Sequence, residues 1–581
     1  MAEKLNNGHL YSTDYKVDFK SVPLKEYPRP ALVRDSYMCL NGKWEYKISK
    51  DERLPETYQG FICVPYAIES PLSGVNHLLE PDEYIFYRRT VVLDKSFSGK
   101  EIIIHFDGVD QISDIFIDSK IALTHTGGYS GFEVHLKYVE SFELVVRVKD
   151  VTDSLYYERG KQVLNPTGWF YSSSSGIYKP VWIEGVNSNY IQEVLIRSFP
   201  DEKMISVYVK TPLAGIVTLK IGDLTRTIST DKKELIEFDS VHLWSPEDPF
   251  LYQVEVSSPF DKIMTYFAFR KVEIKEDQKG FKRIYLNGKK VFLSGLLDQG
   301  YYFLGNLTPK SYKDYEDDIS KSKDLGFNCL RVHIKVENQM FYYYADKLGM
   351  LLIQDFPCGG RQYKFLNVVA PRVLTFLNEK NITYRKLGRE DAQGRKDFVN
   401  LAFEIVHRYL FHPSIIIYTI FNEGWGEFDP SKIYRALKRR YPAVLFDTAS
   451  GWYDAESDFY SIHTYTFPKM NRKDKKKRAF IISEMGGMGL KVKDHSYFDG
   501  FFSHGPCKDS HKLNLSYDSL FVKDILPLIR KRGLNMTIYT ELCDCESEYN
   551  GIFTFDREVL KLEKKRVRHI NELLYKEIEA D

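Results

Sequence analysis

Short runs in which apolar and polar residues alternate fill the first part of the chain, and turn residues separate one run from the next. Residues 101–106, 114–118 and 142–148 are examples. Alternation with a period of two is typical of strands that bury one face, and a long series of such strands predicts an antiparallel β-sandwich. We predict this sandwich over residues 1–187. Its Ser-rich segment 169–175 fits either a loop that reaches another domain or a plain surface loop.

The stretch from residue 188 to 275 again contains only strand patterns, and Pro246 and Pro249 separate one strand from the next. Its length suits a seven-stranded immunoglobulin-like β-sandwich. Neither sandwich contains residues arranged as a nucleophile and its base. We therefore interpret both as scaffold.

Apolar runs alternate with long amphipathic stretches beyond residue 275, and this alternation is typical of βαβ units. The predicted strands are Val291–Leu297, Phe327–Ile334, Leu351–Phe356, Ile415–Glu423, Val444–Ser450, Phe459–Tyr465, Ala479–Glu484 and Met536–Glu541. The predicted helices are Ser311–Leu325, Gln339–Leu348, Lys396–Leu410, Pro430–Arg439, Tyr517–Arg532 and Glu558–Glu577. Eight such strands in about 300 residues predict a (β/α)₈ TIM barrel over residues 276–581, with its chemistry at the carboxyl ends of the strands. The longest connection, 358–395, is predicted to be an irregular loop beside the site.

Composition narrows the class of protein. Hydrophobic residues make up 43% of the chain, and a formal net charge of +1 argues against binding to nucleic acid or to an acidic membrane. Residues 1–17 lack the apolar core of a signal peptide and no run of eighteen apolar residues occurs, so we expect no membrane span and a cytoplasmic location. Seven scattered cysteines predict no disulfide framework, and Cys543-Asp544-Cys545 lacks the second pair of a zinc site. A homo-oligomer is compatible with all of this.

Two apolar runs each end in a glutamate with glycine one or two positions later. Ile415–Phe421 leads into Asn422 and Glu423, and Ala479–Ser483 leads into Glu484. These runs are the predicted fourth and seventh barrel strands, so both carboxylates are expected at the same mouth. Hydrolysis of a glycosidic bond needs such a pair, one group to protonate the leaving oxygen and one to attack or stabilise the anomeric carbon. The separation of the two groups decides between retention and inversion of configuration.

A series of short motifs runs through nearly the whole chain. They are YPRP at 27–30, LNGKW at 40–44, VPYAIES at 64–70, YRR at 87–89, SGIYKPVW at 175–182, FNE at 421–423 and SEMGG at 483–487. In kind and order they resemble the motifs of glycoside hydrolase family 2, which includes β-galactosidases, β-glucuronidases and β-mannosidases. The resemblance implies a jelly-roll, an immunoglobulin-like sandwich and a TIM barrel. It also implies a retaining double displacement with Glu484 as nucleophile, Glu423 as acid/base and Asn422 on the sugar 2-hydroxyl.

Other residues at the strand ends are candidates for contact with the sugar. They are Asp298 on the first strand, His333 on the second, Asp355 on the third, Trp452 beyond the fifth, and His463 and Tyr465 on the sixth. Position favours a sugar role for Asp298, while for His333 and the aromatic residues ordinary packing is an equal alternative. Many relatives carry Ser-His-Tyr-Pro where this chain has His333-Ile334-Lys335-Val336, a difference that bears on the substrate.

The sugar is predicted from a missing motif. Glucuronidases of the family usually carry an Asn-x-Lys pair after the eighth strand, where this chain has Asn550-Gly551-Ile552. Asn471-Arg472-Lys473 has the required spacing, but it lies in a basic run before the seventh strand. We therefore predict an exo-hydrolase of terminal non-reducing sugars, β-D-galactosides first, with β-glucuronides and α-L-arabinosides as alternatives. A non-catalytic carbohydrate-binding protein is the alternative from another class. The magnesium-ligand pattern of the large β-galactosidases is not evident, so we expect no catalytic metal and no cofactor.

Overall fold

A β-sandwich forms the first part of the structure, a computed structural model that describes residues 15–363, 377–465, 474, 477–496, 498 and 500–579. Its strands are β1 (Tyr37–Cys39), β2 (Gly42–Ser49), β3 (Gly60–Val64), β4 (Tyr84–Val92), β5 (Glu101–Phe106), β6 (Val109–Asp110), β7 (Ile112–Ile117), β8 (Lys120–Thr126), β9 (Phe132–Lys137), β10 (Ser141–Lys149), β11 (Gly176–Ile177) and β12 (Val181–Val186). One sheet has the order β1-β12-β5-β9 and the other the order β3-β2-β4-β10-β7-β8, while β6 pairs with β11. Alternate apolar side chains such as Trp44, Ile104 and Val146 fill the core between them.

A second, smaller sandwich follows. Its strands are β13 (Glu193–Phe199), β14 (Met204–Lys210), β15 (Ile216–Ile221), β16 (Leu224–Ser229), β17 (Lys233–Glu237), β18 (Tyr252–Ser257) and β19 (Lys262–Phe267). The sheets β13-β14-β17 and β16-β15-β18-β19 enclose a core that includes Ile205, Leu219 and Val254. Between β17 and β18, Trp244 connects this sandwich to the barrel, because its indole N–H donates to the carbonyl of Asp346 (2.8 Å).

A short antiparallel sheet, which the sequence analysis did not predict, connects the second sandwich to the barrel. It consists of β20 (Val272–Glu276), β21 (Lys282–Leu286) and β22 (Lys289–Lys290). Ile284 and Leu286 pack against residues that begin barrel strands, such as Leu293 and Leu351. This sheet therefore closes the end of the barrel opposite to the carboxyl ends of its strands.

Eight parallel strands form the barrel. They are β23 (Leu293–Asp298), β24 (Cys329–Val332), β25 (Leu351–Asp355), β26 (Ile415–Asn422), β27 (Leu445–Ser450), β28 (Phe459–Thr464), β29 (Ala479–Gly486) and, after the short pair β30 (Met488–Gly489) and β31 (Gly505–Pro506), β32 (Leu534–Thr540). Backbone hydrogen bonds join them in the order β27-β26-β25-β24-β23-β32-β29-β28. Within the described residues no such ladder joins β27 to β28, so the ring is nearly closed, with a seam between these two strands.

Helices pack around the outside of the barrel. They are α1 (Tyr312–Asp324), α2 (Gln339–Leu348), α3 (Ala392–Tyr409), α4 (Pro430–Arg440), α5 (Ser510–Asp518), α6 (Leu526–Arg532) and α7 (Lys564–Glu579). A π-helical segment, Ser519–Ile525, joins α5 to α6. Their apolar faces share one core with the strands, which includes Ile319, Phe341, Ile405, Leu437 and Leu574. No helix among the described residues is long and apolar enough to cross a membrane.

The predicted fold class of jelly-roll sandwich, immunoglobulin-like sandwich and TIM barrel is confirmed. The exact domain divisions at residues 187 and 275 stay predictions. Three helices differ from their predicted ranges. The third begins at Ala392 instead of Lys396, and the sixth begins at Lys564 instead of Glu558. The fifth begins at Ser510 instead of Tyr517 and is divided by the π-helical segment. Residues 451–458, between β27 and β28, form no helix. Of the long predicted loop, residues 364–376 lie outside the described part of the chain.

The Ser-rich loop of the first sandwich reaches the barrel, the first of the two alternatives that its sequence left open. The Tyr171 hydroxyl donates to Glu548 Oε2, and the Ser172 N–H donates to Glu546 Oε1 (2.8 Å). Farther back in the same connection, the Arg159 N–H donates to the carbonyl of Cys358 (2.9 Å). The sandwich thus lies against the loops at the carboxyl ends of the barrel strands.

Candidate active site

A cavity opens at the carboxyl ends of the barrel strands. Five predicted site residues line it, namely Glu423, Glu484, His333, Trp452 and Tyr465. Barrels of this kind carry their chemistry at this end.

Glu423 follows the last residue of β26 in a tight turn. Its φ of +50° lies in the left-handed region, which few residues other than glycine adopt. The Glu423 N–H donates to the carbonyl of Ser450 (2.8 Å), and Gly424 continues the turn with a φ of +76°. A Cβ at Gly424 would lie 2.4 Å from the ring of Tyr453, so this position requires glycine. The turn brings the Glu423 carboxyl group to the cavity wall.

Glu484 lies within β29, and strong hydrogen-bond donors hold its buried carboxyl group. Arg331 Nη1 donates to Oε1 (3.0 Å), and the Tyr465 hydroxyl donates to Oε2. Burial raises the pKa of Glu484, while the Arg331 guanidinium and the Tyr465 hydroxyl oppose that rise. A charged donor at this distance favours the ionised form of a buried carboxyl group.

The two carboxyl groups face each other at short range. One oxygen of Glu423, one of Glu484 and a ring nitrogen of His463 all lie within 4.8 Å of one another. The Tyr465 hydroxyl is 3.1 Å from Glu423 Oε1 and is hydrogen-bonded to Glu484 Oε2. Burial and the two carboxyl groups raise the pKa of Tyr465 well above its ordinary value, so the phenol stays protonated. Retaining glycosidases have carboxyl groups about 5–5.5 Å apart, and inverting enzymes have wider pairs.

Arg331, on β24, connects several groups beneath the cavity. Its Nε donates to both carboxylate oxygens of Asp355 (3.0 and 3.1 Å), and its Nη2 donates to Asn422 Oδ1 (2.9 Å). Burial opposes the charge of Arg331, but the carboxylates of Asp355 and Glu484 raise its pKa, so the guanidinium stays charged. The same contact orients Asn422, which is not among the residues that line the cavity; its buried Nδ2 has no hydrogen-bond partner in the described chain.

Two buried histidines near the carboxyl groups are neutral. Burial lowers the pKa of His463 to about 4 and that of His333 well below its ordinary value. His463 Nδ1 lies 2.8 Å from Glu423 Oε1, and its Nε2 lies 2.9 Å from Ser450 Oγ. Gly451, with a φ of +98°, makes room for this ring, because a Cβ there would lie 2.8 Å from it. His463 is thus placed to act on Glu423 directly.

The first sandwich supplies two residues of the cavity wall that the sequence analysis did not assign to the site, Lys161 and Trp169. The Lys161 ammonium lies 5.6 Å from the ring centre of Trp425, and no carboxylate oxygen of the described residues lies within 4.0 Å of it. The indole N–H groups of Trp169, Trp425 and Trp452 also lack an acceptor in the described chain. The wall therefore contains one cation and three buried indole N–H groups that lack an acceptor in the described chain.

Glu541 and Glu548 are two of the four carboxylic residues in the segment 541–548, which follows the eighth barrel strand, β32. Glu548 lines the cavity, and Asn550 Nδ2 donates to its Oε1 (2.7 Å). Glu541 Oε2 accepts from Gln299 Nε2 (2.7 Å), while Glu541 Oε1 has no partner within the residues described. Burial raises the pKa of both carboxyl groups, and that of Glu541 lies well above its ordinary value. Asn550, in the region searched for a carboxylate-binding motif, is engaged with Glu548.

Asp298 and Asp355 are not among the residues that line the cavity. Asp298 Oδ1 accepts from the N–H of Gly300 (2.9 Å), and Asp355 Oδ2 lies 3.0 Å from His333 Nδ1. Both carboxylates hold neighbouring protein groups in place, which supports bracing over direct sugar contact. The basic stretch 471–473 lies outside the described residues.

Glu423, His463 and Glu484 each have a possible metal-ligand atom, and these three atoms lie within 4.8 Å of one another. His463 Nδ1 is hydrogen-bonded to Glu423, and the Tyr465 hydroxyl contacts both carboxyl groups. These contacts are those of a proton-transfer site. We therefore assign no metal to it, and the absence of a catalytic metal stays a prediction.

Three family profiles match the chain in succession. They are Glycosyl hydrolases family 2, sugar binding domain, over residues 61–184, Glycosyl hydrolases family 2 over residues 200–270, and Glycosyl hydrolases family 2, TIM barrel domain, over residues 273–488. Together the matched segments cover more than half of the chain.

Known relatives are similar to the chain at low identity. A β-galactosidase of Thermoanaerobacter pseudethanolicus is 27% identical over 314 residues, which are 48% of this chain and 41% of that enzyme. A β-glucuronidase of Bacteroides fragilis is 24% identical over 437 residues, 66% of this chain and 56% of that enzyme. The chain thus spans about half the length of these relatives. A solved structure of a β-galacturonidase from Eisenbergiella tayi, with bound galacturonate, is similar to this one with a TM-score of 0.66. The match covers 94% of this chain and 99% of that one at 18% sequence identity, so it shows the fold alone.

Proposed function

Because the chain belongs to glycoside hydrolase family 2, we propose that it is a retaining exo-glycosidase that releases a terminal non-reducing sugar, with β-D-galactosides as its substrate class. The observation that carries the proposal is the pair of carboxyl groups, Glu423 and Glu484, with oxygens within 4.8 Å of each other. This spacing suits a nucleophile and an acid/base that act on one anomeric carbon, since an inverting pair must leave room for water.

In the first half of the reaction, Glu484 attacks the anomeric carbon while Glu423 protonates the departing oxygen. Arg331 and Tyr465 donate to Glu484 and favour its carboxylate form. Positive charge develops on the sugar in the transition state, and the unpartnered Asn422 Nδ2 donates to the 2-hydroxyl, a contact that strengthens as the charge grows.

In the second half, water attacks the anomeric carbon of the covalent intermediate and Glu484 leaves as a carboxylate. Glu423 has lost its proton to the first leaving group, so it removes one from the attacking water. Two displacements at the same carbon return the sugar with its original configuration. The Tyr465 hydroxyl, in contact with both carboxyl groups, donates to Glu484 as its charge returns.

The wall beyond the eighth strand supports a neutral sugar. Glu548 lines the cavity and, when ionised, would repel a sugar carboxylate. Asn550 is held by Glu548 and offers no cation. The indole N–H groups of Trp425 and Trp452, which lack acceptors in the described chain, suit the hydroxyl oxygens of a neutral hexopyranoside.

One observation favours a second candidate, a β-uronide. The Lys161 ammonium lines the cavity with no carboxylate oxygen of the described residues within 4.0 Å. Among the hydrogen bonds of the described residues, Lys161 Nζ donates only to the neutral Tyr171 hydroxyl (3.5 Å), so an anionic ligand would add a stronger, charge-assisted bond. A carboxylate on the sugar would be such a ligand.

A panel of nitrophenyl glycosides on the purified chain tests the proposal. It should include the β-D-galactoside, β-D-glucuronide, β-D-galacturonide and α-L-arabinoside. We expect the highest kcat/KM on the β-D-galactoside and, by proton NMR, the β-anomer as the first product. An α-anomer as first product would exclude retention, and a higher kcat/KM on a uronide would establish the second candidate. Saturable sugar binding without any turnover would instead indicate a carbohydrate-binding protein.

A further inference from the structure

A chain of hydrogen bonds leads from Glu423 away from the cavity toward a second buried carboxyl group, that of Asp447. It begins at His463, whose Nδ1 lies 2.8 Å from Glu423 Oε1. The other ring nitrogen, Nε2, lies 2.9 Å from Ser450 Oγ. Because His463 is neutral, one of its two nitrogens carries a proton and the other accepts one.

Hydroxyl groups form the rest of the chain. Ser450 Oγ donates to Ser483 Oγ (2.8 Å), and Ser483 Oγ lies 2.6 Å from Ser461 Oγ. Ser461 Oγ donates to Asp447 Oδ2 (2.7 Å). Asp447 is buried, its other oxygen has no partner in the described chain, and burial raises its pKa to about 6. The series of hydrogen bonds from Glu423 therefore ends at a carboxyl group that is able to gain or lose a proton.

This series of hydrogen bonds lies at the seam of the barrel. Asp447 and Ser450 belong to β27, and Ser461 and His463 belong to β28, the two strands that no backbone ladder joins in the described structure. Side-chain hydrogen bonds therefore connect these strands where backbone bonds do not. Closure of the barrel alone is the rival explanation for these residues, and the experiment must separate it from a role in catalysis.

The direction of the hydrogen bonds depends on which end is protonated. When Asp447 is ionised, every hydroxyl donates toward it, so His463 carries its proton on Nε2 and leaves Nδ1 as an acceptor. An acceptor 2.8 Å from Glu423 Oε1 favours the protonated form of Glu423. When Asp447 is protonated, every bond reverses, and Nδ1–H donates to an ionised Glu423.

We propose that Glu423 and Asp447 share one proton through this chain, and that ionised Asp447 is a positioning residue that keeps Glu423 protonated before the substrate is cleaved. The inference rests on the proposed acid/base role of Glu423. In a transfer, the Glu423 O–H bond breaks as His463 Nδ1–H forms, and Nε2 gives its proton to Ser450. Each hydroxyl then passes its own proton onward, and the Asp447 O–H bond forms. The proton count is conserved and no further reactant is needed.

Other charged or titratable groups face the two ends of the chain and remain unchanged in the test. Facing Asp447 they are Arg331 and Asp355, and facing Glu423 they are Glu484, Tyr465 and Glu548. A change made at Asp447 alone therefore isolates its effect from theirs.

The first test compares pH profiles of three variants on two substrates of the preferred sugar. Asp447→Asn removes the charge, and Ser461→Ala removes the hydroxyl that donates to Asp447 Oδ2. Thr448→Val is the matched control, because the buried Thr448 hydroxyl lies on the same strand with no hydrogen-bond partner in the described chain. An alkyl glycoside needs a proton on its leaving group, whereas a dinitrophenyl glycoside does not.

For Asp447→Asn we expect the basic limb of kcat/KM on the alkyl glycoside to move to lower pH by roughly one unit, since a nearby negative charge raises the pKa of an acid. Ser461→Ala should shift it in the same direction. The dinitrophenyl glycoside should keep its rate within about twofold in both variants, because its departure needs no proton. Thr448→Val should match the parent protein on both substrates.

The second measurement determines the tautomer of His463 by NMR of protein labelled with ¹⁵N-histidine. The His463 signals are assigned by their loss in His463→Asn. We expect the Nε2–H form with an unprotonated Nδ1 in the parent protein at neutral pH, and a mixture of both forms in Asp447→Asn. A protonated Nδ1 in the parent protein would overturn the proposal.

Two outcomes separate this inference from the proposed function. If Glu423→Ala slows alkyl and dinitrophenyl glycosides equally, the acid/base assignment itself fails. In the other outcome, Glu423→Ala spares the dinitrophenyl substrate, so the acid/base assignment holds. If Asp447→Asn and Ser461→Ala then lower only thermal stability and leave the pH profile and the His463 tautomer unchanged, Asp447 and Ser461 only close the seam. That result would refute the shared proton.

Discussion

The carboxyl groups at the mouth of the barrel lie in unlike surroundings. Glu484 receives hydrogen bonds from the permanently charged Arg331 and from Tyr465. Glu423 contacts the neutral ring of His463, which leads through hydroxyl groups to Asp447. The guanidinium favours a carboxylate at Glu484, and in the proposed tautomer His463 Nδ1 accepts from Glu423 and favours its protonated form. Under that proposal the two surroundings suit opposite roles for the two glutamates.

Removal of the proposed nucleophile should have the largest effect. Glu484→Gln keeps the size of the side chain but cannot form the glycosyl-enzyme bond. Activity on every substrate should fall by about 10⁴ or more, whatever the leaving group. The measurement is kcat/KM on an alkyl and a dinitrophenyl glycoside, with thermal unfolding as the check on folding. A loss confined to the alkyl glycoside would assign Glu484 as the acid/base and reverse the comparison.

Removal of the proposed acid/base should depend on the leaving group. In Glu423→Ala, rates on alkyl glycosides should fall by roughly 10²–10⁴, while glycosylation by a dinitrophenyl glycoside should be nearly spared. Added azide should restore turnover of the dinitrophenyl substrate and give a glycosyl azide of retained configuration, identified by NMR. A uniform loss without azide rescue would contradict this role.

Removal of the cation beside Glu484 should reduce the difference between the two surroundings. In Arg331→Gln, the pKa of Glu484 should rise further, because burial then acts without the opposing guanidinium. Since the nucleophile must be ionised, the acidic limb of kcat/KM should move to higher pH by roughly one unit. Arg283→Gln is the control: it breaks the buried pair with Asp277 (2.8 Å), away from the cavity, and should lower stability without moving this limb.

Substitution of Lys161 should have the smallest effect, because it leaves both carboxyl groups as they are. If a neutral galactoside is the substrate, Lys161→Met should change its kcat/KM by no more than about threefold, while Lys161→Arg keeps the charge as the matched variant. If a uronide is the substrate, KM for it should rise by roughly tenfold or more in Lys161→Met, the scale of a lost charge-assisted hydrogen bond. The ratio of kcat/KM on the galactoside to kcat/KM on the uronide, measured in each variant, decides between the two substrate classes.

Local patterns in the sequence predicted much of the fold. Alternating and continuous apolar runs identified the eight barrel strands with ends shifted by a few residues, because a buried parallel strand must be apolar along its length. The short sheet at residues 272–290 was not predicted, since charged residues such as Lys282 and Lys289 obscured its pattern. The helix ranges failed where a π segment and an irregular stretch interrupt the expected period.

The candidate site was partly predictable for a similar reason. The sequence analysis did not use one detectable signal, the presence of polar residues inside otherwise apolar strands. Examples are Ser483, before Glu484 on β29, and Asp447 and Ser450 on β27. Trp425, two residues beyond Glu423, was another. Lys161 gave no signal of this kind, because its strand-rich surroundings resemble ordinary scaffold.

The sequence by itself determined the family, the order of the three folds and the placement of Glu423 and Glu484 at the ends of two strands, because these follow from short motifs and from periodicity along the chain. Only the tertiary structure decided which groups face each carboxyl group. The contact of Tyr171 with Glu548 joins residues 377 positions apart, and the chain from Glu423 to Asp447 crosses three strands. Such contacts depend on the packing of whole domains and on strand register, and no local pattern encodes a distance between side chains that meet only after folding.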